Sequence, residues 1–223
     1  MALITKETKL AHIISVDANV ITVFNRFNIR LGVGDKTVSG ICDELNLDPE
    51  FMLTVINTFL NEDYVPGKVL TKLDAEKVVR YLKHTNVYTL QYKLPNIERH
   101  FNLLLSRNEG LNNNLSLIRG FFFKLKEELI KSIEIDNNII FPRILSENID
   151  KNNFEGIDDN TNHDDSVEQK FADLKNMLIL HLEGEYDENL CNAVLFAIIS
   201  LEKDIKQNNR IKVKMLLPYI ESI

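Results

Sequence analysis

The sequence predicts an all-α protein: a small N-terminal helical domain followed by an antiparallel four-helix bundle. Three observations carry that expectation. Apolar residues recur at alternating threes and fours through most of the chain, the period of a helix with one buried face. Strand-type alternation is almost absent, and the apolar share of 44% against 26% charged residues is enough for a real core in 223 residues.

The elements follow in order. Residues 8 to 62 hold short helices: "LAHIIS", "ANVITVFNRF", "DKTVSGICDELNL" and "DPEFMLTVINTFLNED". Gly32 and Gly34 break the chain between the second and third, and Asp48 with Pro49 marks the start of the fourth. These helices make a domain over residues 1–65, closed by the turn-rich linker "YVPGKVL". The bundle then covers residues 73–223. Its first helix runs from about Asp74 to Ser106 with a bend at Pro95, and its second from about Asn112 to Asn137 with an extension towards Ser146. An acidic, Asn-rich segment over 146–165 is expected to be a mobile loop. The third and fourth helices run from about Asp165 to Leu182 and from near Asp187 to about Tyr219.

The seams of these helices are interrupted. In "IKSIEIDNNIIFP", residues 130 to 142, the stripe Phe122, Leu125, Leu129, Ser132, Asp136, Ile140 turns polar twice, one helical turn apart. The fourth helix does the same at Asn208 and Lys212, between Ile205 and Met215. The first places Asn86 between Leu82 and Leu90, and the third begins its stripe at Asp164 before Val167 and Phe171. Residues at i and i+4 project side by side, the spacing of a metal site built inside a bundle. Iron or zinc, however, wants imidazole, carboxylate or thiolate, whereas this set offers amides, a hydroxyl, two carboxylates and an ammonium. The bland alternatives are a helix phase drifting by one residue, or Lys212 snorkelling its amine into water.

With these residues in view, the sequence resembles the iron-centre repair proteins, in which a short N-terminal domain precedes a hemerythrin-like di-iron bundle. "FNRFNIRLGVGDKTVSGICDELNLD" is similar to the N-terminal domain. "YLKHTNVYTLQYKLPNIE", "FFFKLKEELIKSIEIDNNIIFP", "VEQKFADLKNMLI" and "LEKDIKQNNRIKVKMLLP" are similar to the four bundle helices. The resemblance implies a hemerythrin-like fold over nearly the whole chain. It also implies that the H-x-x-x-E iron pair of the second bundle helix falls on Ser132 and Asp136, and that of the fourth on Asn208 and Lys212. The first-helix histidine falls on Asn86, and the third-helix one on or next to Asp164, where His163 is a residual candidate ligand. A further family histidine finds no aligned counterpart; His100 is nearby but out of register. The family's adjacent cysteine pair falls on Gly32 and Val33. The six seam residues therefore read as a vacated site: no di-iron centre and no cofactor are expected, with iron as the alternative. Lys212 is expected to neutralise Asp136, with Asp164 nearby.

The function expected is non-enzymatic: a metal-free hemerythrin-like protein acting by protein interaction in a regulatory role. No nucleophile–base pair or phosphate-binding glycine loop argues for catalysis. One alternative is an iron-binding stress or repair protein keeping a reduced site from Asp136, His163 or Asp164, and His84 or His100. Another is a transcription-associated protein using residues 37–60 as a helix-turn-helix-like unit. The net charge of −7 speaks against nucleic acid as a partner, and residues 1–65 alone hold five basic and nine acidic side chains. The expected partner is an unidentified protein, a homodimer being admitted. No membrane span is expected, since no run of about 18 uncharged apolar residues occurs. Two isolated cysteines, Cys42 and Cys191, and the lack of an apolar leader in "MALITKETKL" suit a cytoplasmic location.

Overall fold

The computed structural model describes residues 3–67, 71–108, 114–146 and 155–222, and the side chains of 155–166 fall outside that description. Among the described residues the chain is helical, with one isolated antiparallel bridge, Lys9 with Thr37, and no strand. No helix among them is long and apolar enough to cross a membrane.

Two compact units divide the chain: Met1–His84 with Arg210–Ile223, and Thr85–Asn209. The division differs from the expected domains of 1–65 and 73–223, and the contacts within the first unit show why. Lys77 pairs with Asp48 at 2.5 Å, and the Tyr81 ring lies 5.4 Å from that of Phe27. Arg210 donates to the Thr58 carbonyl and the Glu62 carboxylate, both at 3.0 Å, and Lys214 donates to the Tyr64 carbonyl at 2.9 Å. These ties bind both 73–84 and the C-terminal segment to the N-terminal helices.

The first unit begins with α1 (Leu10–Val16), α2 (Val20–Arg26), α3 (Val38–Leu45) and α4 (Pro49–Leu60). Their starts and stops are written in the sequence. The Thr37 hydroxyl accepts from the Gly40 amide at the start of α3, and Asn46 ends that helix in the left-handed region at φ 53°. Asp48 caps α4, accepting from the amides of Glu50 and Phe51, with Pro49 at the first helical position. Gly32, at φ 88°, makes the reversal between α2 and α3 that a side chain would resist. The core is mainly apolar, with Leu10, Ile13, Val23, Val38, Met52 and Ile56 fully buried, and it also takes in the polar side chains of Arg26, Asn57 and Thr58.

Helix α5 (Lys72–Tyr88) continues through a π-helical turn, π1 (Thr89–Lys93), into α6 (Leu94–Arg107). Next come α7 (Leu115–Ile135), π2 (Asp136–Ile140) and α8 (Phe141–Leu145). The last elements are α9 (Glu155–Leu180), α10 (Glu188–Ile211), π3 (Lys212–Leu216) and α11 (Leu217–Ser222). The expected loop over 146–165 is corrected from Glu155 onward, where the backbone is already helical; 147–154 lie outside the described residues.

The core of the second unit is drawn from α6, α7, α9 and α10, including Phe101, Phe122, Phe171, Leu174, Val194 and Ile198. Lysine–carboxylate pairs link these helices: Lys126 to Glu98 at 2.6 Å, Lys170 to Glu128, Lys175 to Glu202 at 2.7 Å, and Lys93, at the end of π1, to Asp204. The pairings also give the directions. Asn102 meets Arg119 while Glu98 meets Lys126, so α6 and α7 run antiparallel. Glu168 meets Asn209 while Lys175 meets Glu202, so α9 and α10 do too. Asn114, just before α7, donates to the His181 carbonyl, just after α9. Arg107 at the end of α6 pairs at 2.9 Å with Asp187, just before α10. These helices thus run antiparallel to their partners and bury their apolar faces in one shared core.

Candidate functional site

The seam polar residues sit where the helices change pitch. Each of the three π-turns among the described residues is followed by a residue that precedes a proline: Leu94 before Pro95, Phe141 before Pro142, Leu217 before Pro218. The amide of that residue reaches back five positions, to the carbonyls of Thr89, Asp136 and Lys212. A proline inside a helix offers no N–H and its ring collides with the carbonyl four residues back. The wider turn just before it relieves that collision, and such turns recur at functional sites. Two of the seam residues, Asp136 and Lys212, open π-turns, as does Thr89.

In the second unit, Asn86, Ser132 and Asp136 are 6%, 2% and 3% exposed. Asn86 donates from Nδ2 to Oδ1 of Asn137 at 3.1 Å, and both Ser132 and Asp136 have partners of their own. Asn208 is half-buried with an Oδ1 that meets no donor, and neighbouring Gln207, 2% exposed, has both amide atoms unpaired among the described residues. Lys212 is half-buried in the C-terminal segment that belongs to the first unit, and it too is partnered. The side chains of His163 and Asp164 lie outside the described residues, although their backbone is part of α9.

The other histidines do not gather. His12, His84 and His181 are exposed, and His84 lies in the first unit. His100 is half-buried with Nδ1 unpaired; burial, then the Arg99 charge, pushes its pKa below the ordinary imidazole value. Among the described residues, no three His, Cys, Asp or Glu side chains come together as metal ligands. Cys42 is buried against the Met52 sulfur, and burial, then Asp43 and Asp48, pushes its pKa up to about 11. Burial also raises the Cys191 thiol. Neither thiol has the electropositive, accessible setting of a reactive cysteine.

A second polar stripe lies beside the seams, and sequence reasoning missed it. Thr85, Thr89 and Lys93 follow one face of the first long helix, and Ser200, Asp204 and Gln207 one face of α10. The Lys93 ammonium pairs with Asp204 and donates to Ser200, at 3.0 Å to Oγ and 3.1 Å to the carbonyl. The Asp204 side chain is 2% exposed and that of Lys93 10%. Three polar residues at helical spacing look like a solvated face in a sequence. Only the opposite signs at Lys93 and Asp204 hinted at a buried pair, and that hint is weak.

The helix-turn-helix-like segment is built from α3 and α4. The start of α4, where a groove-reading helix would meet bases, is already committed. Asp48 caps the helix and pairs with Lys77, Glu50 pairs with Lys6 at 2.5 Å, and Phe51 stacks edge-on against Phe27 and Tyr81. Two carboxylates and a ring engaged within the unit leave no donor for phosphate or guanine there.

Comparison with protein-family models, with curated proteins and with solved structures finds no match for this chain.

Proposed function

We propose that this chain is a metal-free, hemerythrin-like helical protein that acts by binding another protein, in a regulatory rather than a catalytic role. The observation that carries the reading is the pair Ser132 and Asp136. They are buried one helical turn apart at the core of the second unit, where a di-iron bundle of the resembled family carries imidazole and carboxylate. A hydroxyl and an amide are weak ligands for iron, so the layer around Asn86 and Ser132 suits hydrogen bonding within the protein better than a metal. Antiparallel helices around a single core support the bundle, and the commitment of Asp48, Glu50 and Phe51 within their own unit tells against DNA reading by α4.

The test is metal content after expression in iron-supplemented medium and purification without chelator. The reading predicts well below one iron, manganese or zinc per chain. About two irons with an oxo-bridge absorption would replace it with a repair-type di-iron protein, and one iron with a reduced mononuclear site.

A further inference from the structure

The first unit contains an open cleft of about 420 Å³ that the bundle reading does not use. Its size falls within the range of small-molecule sites. The apolar base is a cluster of three rings. Phe27 lies 5.8 Å from Phe51, edge-on at 74°, and 5.4 Å from Tyr81, while Phe51 and Tyr81 meet edge-on at 6.5 Å. Phe27 and Tyr81 are buried, whereas Phe51 is half-buried and keeps an accessible edge.

The wall is cationic. Lys77, Arg80 and His84 line the cleft at i, i+3 and i+7 on one face of α5, and Arg26 joins them from α2, its guanidinium 5.9 Å from the Tyr81 ring centroid. The one carboxylate in the lining, Asp48, is already spent. Its burial opposes ionisation, but hydrogen bonds from Lys77 and from the Phe51 and Glu50 amides outweigh that and hold its pKa below the ordinary carboxylate value. Lys77 is correspondingly neutralised between Asp48 and Asp74. Arg80, by contrast, is exposed and forms no ion pair with any described residue, and His84 is an exposed imidazole whose Nδ1 lies 3.4 Å from the Arg26 carbonyl oxygen. Two asparagines complete the rim, Asn28 at φ 60° and Asn46 at φ 53°, the only non-glycine residues with positive φ among those described. They offer amide donors and acceptors beside the cationic wall.

We propose that this cleft binds a small planar anion: an aromatic or heteroaromatic ring carrying a carboxylate, sulfonate or phosphate. The ring packs against the accessible edge of Phe51, and the anionic group meets Arg80 and His84. Guanidinium recognises planar oxyanions through paired N–H donors and also stacks on aromatic faces. Neither a purely apolar ligand nor an inorganic anion would use both halves of the lining. The proposal stands on the geometry of the first unit alone and is independent of whether the second unit holds metal.

The test uses the full-length protein and anilinonaphthalene sulfonate as the aromatic anion, with its uncharged anilinonaphthalene parent and inorganic sulfate as controls. Fluorescence titration is expected to show saturable binding at one site per chain. Arg80→Gln should raise the Kd about tenfold, equivalent to one good charge-assisted contact. His84→Gln should raise it by less. Both residues are exposed, so neither change should shift the melting temperature. The uncharged parent should bind at least tenfold more weakly, and millimolar sulfate should not displace the probe. Equal affinity in wild type and both variants would overturn the proposal. Equal affinity for the uncharged parent would also overturn it, as would full displacement by sulfate.

Discussion

Asp204→Asn is expected to destabilise the protein by about 3–5 kcal/mol, because it leaves the Lys93 ammonium without its counter-charge in a nearly dry site. The Ser200 hydroxyl and carbonyl still accept from Lys93, but two neutral acceptors do not replace a carboxylate at a side chain only 10% exposed. The companion result identifies the cause. Lys93→Met combined with Asp204→Leu removes both charges and should recover most of the loss, since apolar replacement of a buried ion pair is often neutral or better. Urea denaturation of the two variants and wild type measures both values, a constant m-value confirming that compactness is unchanged. A loss under about 1 kcal/mol for Asp204→Asn, the range of an exposed pair, would mean that water reaches the pair.

The second large effect is expected in the first unit. Asn57, 4% exposed on α4, accepts from the Ile4 amide at 2.8 Å and donates to the Ile4 carbonyl at 3.0 Å. One side chain thereby satisfies both backbone groups of a residue 53 positions away and fixes the N-terminal segment to the domain. Asn57→Ala leaves two buried backbone groups unpaired, at about 1–3 kcal/mol each, so a loss of about 2–6 kcal/mol is expected. Hydrogen exchange should show the Ile4 amide losing protection before the α4 amides do. Unchanged protection at Ile4 would show that another group takes over its bonds.

Much of the helical pattern was legible because the signals were local. Asp48–Pro49 and Thr37 cap the helices that they precede, and the stripes through Phe122, Phe171 and Val194 are buried as their periodicity required. Pro95 was visible as a bend in the first bundle helix; the π-turns before Pro95, Pro142 and Pro218 were not, because a proline signals a lost hydrogen bond without saying how the turn before it adapts. The start of α9 at Glu155 was hidden by composition, since acidic first turns and polar loops look alike in a sequence. Long-range partners were the least legible. Nothing local tells that Lys93 will find Asp204, or that Arg210 will reach back to Thr58 and Glu62 and draw the C-terminus into the N-terminal unit. The seam interruptions at Asn86, Ser132 and Asp136 stood out because a polar residue in an apolar stripe violates the pattern at one position only.

We propose that the polar layer of the second unit holds no metal. Thermal melting of chelator-treated protein under anaerobic conditions, with and without excess Fe(II), tests it most directly. A folded-state site at one hundred times its Kd would add about 2.7 kcal/mol, a shift of several degrees for a chain of this length. A metal-free layer leaves the melting temperature unchanged within about 1 °C, the shift of a ligand without preferential affinity for the folded state. A saturable rise of about 5 °C or more, removed again by chelator, would contradict it.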